Sequence, residues 1–235
     1  MLFGDSLTQG GWEPNGFAQR LAYVYGRRLD VINRGLSGYN TEWAIPVFEQ
    51  CFAKSDLQAM LPKVKLLVIW FGANDSTLQH SPQHVPLPKF IENMNTLVDM
   101  PTSPTSPWYS PTTRVLLVTA PPINATQRNA EYASRNPPIG PDRTHENTKA
   151  YAQAVIDVGK KRGVPVVDLW TALWKAAGET EEGLPKVLPD GLHCNEASYK
   201  VLPYEKCIAS VIQSFADIIR PHYRGDFRTL SRVTL

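Results

Sequence analysis

Val64-Lys-Leu-Leu-Val-Ile-Trp-Phe71 runs directly into Gly72-Ala-Asn-Asp75. Only Lys65 interrupts the apolar run, and there is no alternation of the kind that marks a half-exposed strand. A continuous apolar stretch of this length reads as a strand buried on both faces, the habit of a parallel sheet covered by helices on each side. The polar cluster that follows sits at the strand's carboxyl end, where open α/β sheets bind ligands.

The same pattern recurs on either side. Met1-Leu-Phe-Gly-Asp-Ser-Leu-Thr-Gln-Gly10 is a short apolar start that delivers Ser6 onto a tight turn. A strand ending at Gly4 would have about three residues against a usual five or six, so a first strand shortened at its N-terminus, with residues upstream of Met1, is expected. Leu29-Asp-Val-Ile-Asn33 reads as a second strand. It leads into the glycine-rich turn Arg34-Gly-Leu-Ser-Gly-Tyr-Asn-Thr41, which opens a helix at Thr41 and leaves N–H groups free to point at an anion. Arg114 to Thr119 and Val164 to Asp168 complete the strands.

Helical spacing covers Asn15 to Arg28, with Asn15 as N-cap, and then Phe90 to Val98, Thr144 to Arg162, Leu169 to Ala177 and Glu196 to Ile219. Pro82 to Pro88 and Met100 to Thr113 read as loops. The polar stretch from Ala120 to Thr144 reads as a long excursion that overhangs a site. Strands alternating with helices predict an α/β fold, a flavodoxin-like doubly wound sheet of about five parallel strands with helices on both faces. One domain over residues 1–235 is expected, ending in a tail at 221–235.

Composition narrows the function classes. A length of 235 residues, 43% hydrophobic and 20% charged, is ordinary for a soluble globular domain. A net charge of +2 gives no reason to expect nucleic acid or an acidic membrane as partner. No apolar run approaches the roughly 18–20 residues needed to span a bilayer, so no stable membrane insertion is expected. No signal peptide is visible, and a cytoplasmic location is expected unless an upstream segment directs the chain elsewhere. Cys51, Cys194 and Cys207 form no CxxC pair, which favours buried thiols in a reducing compartment over a disulfide framework. A small-molecule partner is expected, with room for a homodimer.

Gly4-Asp-Ser-Leu7, Gly38 in its turn, Gly72-Ala-Asn-Asp75 and Asp190-Gly-Leu-His193 resemble, in order and placement, the four blocks of the GDSL, or SGNH, hydrolase family. Gln83-His-Val-Pro-Leu87 and Pro121-Pro-Ile123 resemble the isoamyl acetate-hydrolysing esterases within it. The likeness spans residues 1 to about 220 and implies the SGNH hydrolase fold. It also implies Ser6 as nucleophile, His193 as general base and Asp190 as the carboxylate that orients it. It places the oxyanion donors at the Ser6 N–H, the Gly38 N–H and the Asn74 amide, with Asp5 and Asp75 as support.

Elementary chemistry agrees with these roles. A serine hydroxyl is a weak nucleophile until a base takes its proton. Side chains three apart in Asp190-x-x-His193 can meet, and the carboxylate then fixes the imidazole tautomer. Glycine suits a donor that must approach a ligand closely. The implied activity is hydrolysis of short-acyl, acetate-type esters of small alcohols through an acyl-enzyme, without cofactor or metal. A carbohydrate acetylesterase, a lipase or a thioesterase of the same family is the alternative.

Each residue has a plainer reading. Ser6 or Asp5 could simply cap a helix or turn, His193 could be a surface histidine, and Asn74, Asp75 and Gly38 could be turn residues. Asn74, Asp75, Asp190 and His193 are also hard-metal ligand types, which leaves a metallophosphoesterase open. A non-catalytic binding protein on the same fold is the third reading. Cys194, next to His193, is a rival nucleophile. Trp12, Trp70 and Phe71 are candidates for pocket walls as well as for core. Ser198 stands where the family leads one to expect glycine.

Overall fold

The computed structural model describes residues 1–201, with side chains through Ser198. In chain order the elements are β1 (Leu2–Gly4), α1 (Ser6–Gln9), α2 (Phe17–Val24), β2 (Asn33–Gly35), α3 (Thr41–Cys51), β3 (Leu66–Trp70), α4 (Leu87–Thr102), β4 (Arg114–Val118), α5 (Ala125–Ala133), α6 (His145–Arg162), β5 (Val166–Val167), α7 (Leu169–Ala176) and α8 (Glu196–Val201). The strands are all parallel, in the order β2-β1-β3-β4-β5. This is the predicted flavodoxin-like winding, in which crossovers run outward in both directions from β1 and β3.

Alternate residues of the central strands explain why both faces must be covered. Phe3, Leu67, Ile69, Val115 and Leu117 point into one core with Phe48, Phe90, Met94, Tyr151 and Val155, side chains supplied by α3, α4 and α6. Trp70 points to the opposite face, where Phe17 of α2 packs against it edge-on at 5.6 Å. Phe3 sits between Phe48 and Phe71 in two edge-to-face contacts of 5.5 and 5.2 Å. Burying each such ring contributes on the order of 1.5–3 kcal/mol. Trp70 and Phe71 are therefore core residues and not pocket walls; Trp12 is exposed.

Several boundaries differ from the sequence reading. The second strand lies at Asn33–Gly35, not Leu29–Asn33. It is an edge strand over which α1 passes so closely that a Cβ on Gly35 would meet Gln9 N at 2.0 Å. Asn33 holds the crossing, donating from Nδ2 to Thr8 O at 2.7 Å. Polar residues and a glycine, not apolar residues, make this strand.

Asn15 is not an N-cap: it takes a left-handed φ of 61° in the turn before α2, whose N-cap is Gly16. Helix α4 starts at Leu87, before the expected Phe90, because Pro86 and Pro88 sit at its N-terminus, where a missing N–H costs nothing. The polar excursion contains α5, capped by Asn124 through its contact with Gln127 N–H. The last expected helix begins at Glu196 as read; its continuation to Ile219, Cys207 and the tail at 221–235 lie outside the described residues. No described helix is long and apolar enough to cross a membrane.

Candidate active site

Strand register sets the site. Gly4 pairs level with Gly35 on one side and Trp70 on the other, so the chain leaves the sheet at one edge after all three strands. Ser6, Gly38 and Asn74 follow within two to four residues of those ends. This edge is the switch point of the winding, where the loops diverge and leave a crevice.

After β1 the chain turns through Asp5, whose Oδ1 accepts from Leu7 N–H at 2.9 Å and caps α1. Ser6 is thereby the first helical residue. First-turn N–H groups have no intrahelical acceptor, and none is found for Ser6 N–H among the described residues. Ser6 Oγ lies 2.9 Å from His193 Nε2, and His193 Nδ1 lies 2.6 Å from Asp190 Oδ2. An ionised carboxylate only accepts, so the proton sits on Nδ1 and Nε2 is left to accept from the serine.

The Asp190 loop is itself fastened. Asp190 Oδ1 accepts from Leu192 N–H at 3.0 Å and His193 N–H at 2.7 Å, and Oδ2 also accepts from Arg128 Nη1 at 3.0 Å. Burial pushes the carboxyl up, but the His193 side chain, its backbone N–H, its charge and the Leu192 N–H outweigh it and hold Asp190 well below the usual carboxylate range. Gly191 takes φ +83, and a Cβ there would meet Asn124 O at 2.8 Å, so α5 rests directly on this loop.

Gly38 takes φ +82, a left-handed conformation that glycine adopts at little cost. Its carbonyl accepts from Gln83 Nε2 at 2.7 Å, and Gln83 O accepts from Asn40 Nδ2 at 3.0 Å. Gln83, read only as part of a resemblance, thus latches the Gly38 peptide. The Gly38 N–H also finds no acceptor among the described residues. Asn74 is buried, donates from Nδ2 to Tyr39 O at 2.9 Å and keeps its second amide hydrogen for another acceptor. Asp75 ties these two loops together by accepting from Thr41 N–H at 2.9 Å and Thr41 Oγ at 2.5 Å.

Neither support carboxylate faces solvent. Burial raises Asp5 to about 7, with the nearby Asp75 charge adding to it against the opposing pull of Leu7 N–H, His193 and Arg143. Burial likewise raises Asp75 to about 6 against its bonds from Thr41. Asp5 Oδ2 has no hydrogen-bond partner among the described residues. Between about pH 4 and pH 7 the folded chain therefore holds a proton on Asp5 that the unfolded chain has lost, so the Asp5 contribution to stability declines as pH rises through that window. Asp5→Asn keeps the capping oxygen and removes the charge. Its melting temperature relative to the unsubstituted chain should be higher at pH 8 than at pH 5; an equal difference at both would show that Asp5 does not titrate there.

The remaining candidates separate cleanly. Cys194 is buried and its thiol is pushed up to about 12 by that burial, against a hydrogen bond with Ser198, which makes it inert at neutral pH. Ser198 bonds Val187 O and receives Asn195 N–H, serving the start of α8. Asp75 faces Thr41 while Asp190 faces His193 and Arg128, so the acidic groups do not converge. No group of three or more His, Cys, Asp or Glu side chains is placed to hold a metal ion among the described residues.

Sequence reading missed Arg128, Tyr132, Asp142 and Arg143, which lie buried behind the site. The available signal was Asn124 followed by a run free of proline and glycine to Ser134, with Arg128 and Tyr132 four apart on one helical face.

A flavodoxin-like doubly wound parallel sheet that brings a serine, a histidine and an aspartate into one hydrogen-bonded chain at its switch point places this protein in the α/β class. Residues 2–201 match the GDSL-like lipase/acylhydrolase family, and the chain belongs to that family and is a carboxylic ester hydrolase. It is 34% identical over 199 residues to a GDSL esterase/lipase of Arabidopsis thaliana, covering 82% of this chain and 77% of the relative. It is 35% identical over 195 residues to the isoamyl acetate-hydrolyzing esterase 1 homolog of Rattus norvegicus, covering 82% and 73%. Among solved structures, a lipase/acylhydrolase from Enterococcus faecalis superposes with a TM-score of 0.62 at 25% identity, over 91% of this chain and 94% of that one.

Proposed function

We propose that this chain hydrolyses short-acyl, acetate-type esters of small alcohols through an acyl-enzyme on Ser6. The observation that carries the reading is the unbroken chain from Ser6 Oγ through His193 to Asp190, at 2.9 and 2.6 Å. In this mechanism His193 Nε2 takes the serine proton as Oγ attacks the ester carbonyl, and Asp190 stabilises the imidazolium that forms. The Ser6 N–H, the Gly38 N–H and the free Asn74 amide hydrogen receive the developing oxyanion. Collapse expels the alcohol with the proton from His193, and water activated by the same imidazole releases the acid.

The acyl and alcohol preference rests on likeness to isoamyl acetate-hydrolyzing esterases, at 32–35% identity in the mammalian relatives. The reading treats residues 1–235 as one hydrolase domain that works on a dissolved small molecule.

Hydrolysis of p-nitrophenyl acetate, butyrate and octanoate, with and without a serine-reactive phosphonate, tests it. Acetate should turn over fastest, the rate should fall with chain length, and the phosphonate should abolish it with an adduct mapped to Ser6. Rates that rise toward octanoate would replace the short-acyl reading with a lipase. Turnover that survives the phosphonate without an adduct would remove Ser6 from the nucleophile role.

A further inference from the structure

Behind the Asn74 amide lies a buried polar chain outside the motif residues. Arg143, 3% exposed, donates from Nη2 to Asn74 Oδ1 at 3.1 Å and from Nε to Ala73 O at 3.2 Å. Its Nη1 reaches Tyr132 Oη at 2.9 Å and Asp142 Oδ2 at 2.7 Å. Tyr132 Oη donates to Asp142 Oδ2 at 3.2 Å and accepts from Arg128 Nη2 at 3.3 Å. Nη1 of the same Arg128 guanidinium donates to Asp190 Oδ2. The hydrogen-bonded path thus runs from Asn74 to Arg143, Tyr132, Arg128 and Asp190, joining one side of the site to the other.

A side-chain amide has two faces of opposite polarity, and only one orientation serves an oxyanion. With Oδ1 against the guanidinium, Nδ2 bonds Tyr39 O and its second hydrogen faces outward. Turned over, the amide would set NH₂ against the Arg143 N–H groups and Oδ1 against the Tyr39 carbonyl, replacing two hydrogen bonds with two repulsions. The guanidinium also polarises the amide through a charge-assisted bond, which strengthens its donation. Asp142 neutralises most of the arginine charge, so the direction of the donors matters more than the net charge.

We propose that Arg143 is a positioning residue that fixes the Asn74 amide with its N–H toward the substrate oxygen, and that Tyr132 and Arg128 hold it in register with Asp190. The inference rests on the reading of Asn74 as an oxyanion donor. It predicts that Arg143 acts on kcat, since the oxyanion is absent from the bound ester and develops only as the tetrahedral intermediate forms. Lysine cannot reproduce the fork that spans Asn74, Ala73 and Tyr132 at once.

The test is a double-mutant cycle in the full chain with p-nitrophenyl acetate as substrate, with melting temperatures measured alongside. Asn74→Ala should lower kcat about 10²–10³-fold, with KM changed by less than about threefold. Arg143→Lys should lower kcat roughly 10–100-fold, again with little change in KM. In the Asn74→Ala background the same substitution should cost less than about threefold, because the group it orients is gone. Full and equal loss in both backgrounds, or unchanged kcat in Arg143→Lys alone, would overturn the positioning role while leaving Asn74 as a donor. Unchanged kcat in Asn74→Ala would instead remove the donor assignment and the positioning role with it. Where Arg143→Lys fails to fold, Tyr132→Phe takes its place. Removing that hydroxyl should lower kcat about 3–10-fold, and loss of the effect on adding Asn74→Ala supports the chain. Additivity of Tyr132→Phe with Asn74→Ala would overturn it.

Discussion

Ser6→Ala should reduce kcat by about 10⁴-fold or more while leaving the fold in place. Among the described residues the hydroxyl makes one side-chain hydrogen bond, with His193 Nε2 at 2.9 Å, so its removal deletes the proposed attacking atom and little else. Alanine at this position begins a helix at no cost in propensity, and the cap on α1 comes from Asp5, not from Ser6. The melting temperature should therefore stay within a few degrees, while the phosphonate adduct disappears. Retained kcat in the folded variant would sink the nucleophile assignment. Residual hydrolysis slightly above the background in water is compatible with it, because free oxyanion donors and binding still act.

Asp190→Asn should lower kcat by about 10⁴-fold with a much smaller change in KM. The reason is the tautomer of His193, and the structure shows which way the amide would turn. Two backbone donors, from Leu192 and His193, converge on Oδ1 and demand an oxygen there. The amide nitrogen is then left facing His193 Nδ1, which must accept from it, and the ring proton moves to Nε2. Nε2 then points a hydrogen at Ser6 Oγ and cannot take its proton. The same NH₂ group would also face Arg128 Nη1, which at present donates to the carboxylate. The variant should thus lose some stability along with its activity. A loss of kcat below about tenfold would show that His193 does not depend on Asp190 for its tautomer.

Both predictions concern residues that could be found without a structure, and the reason is local. The blocks around Ser6, Asn74 and His193 lie just past strands or beside the last helix, and each carries its own punctuation of glycine, asparagine and aspartate. Asp190 and His193 meet across a three-residue turn, so their pairing is nearly written into the spacing. The doubly wound order was legible for the same reason. Four of the five strands lie on apolar runs separated by helical periods, and such a series permits few other topologies once crossovers must be right-handed.

Elements made by tertiary packing were not legible. The second strand consists of Asn33, Arg34 and Gly35, chosen by the close passage of α1 and not by strand propensity. Helix α5 lacks an apolar stripe, since its buried face carries Arg128 and Tyr132. Nothing in a polar helix says where its buried face points, because the partners that satisfy it are Asp190, 62 residues from Arg128, and the Asp142–Arg143 pair beyond the helix.

The sequence by itself determined the class of fold and marked Ser6, Asn74, Asp190 and His193 as residues to expect where its strands end. Only the tertiary structure decided how those groups are held. Gln83 latches Gly38, Asp75 joins two loops through Thr41, and Arg143 faces the back of Asn74. Short-range pattern records what a residue does to its neighbours in the chain. A buried guanidinium is specified by acceptors that only folding brings within 3 Å or so of it.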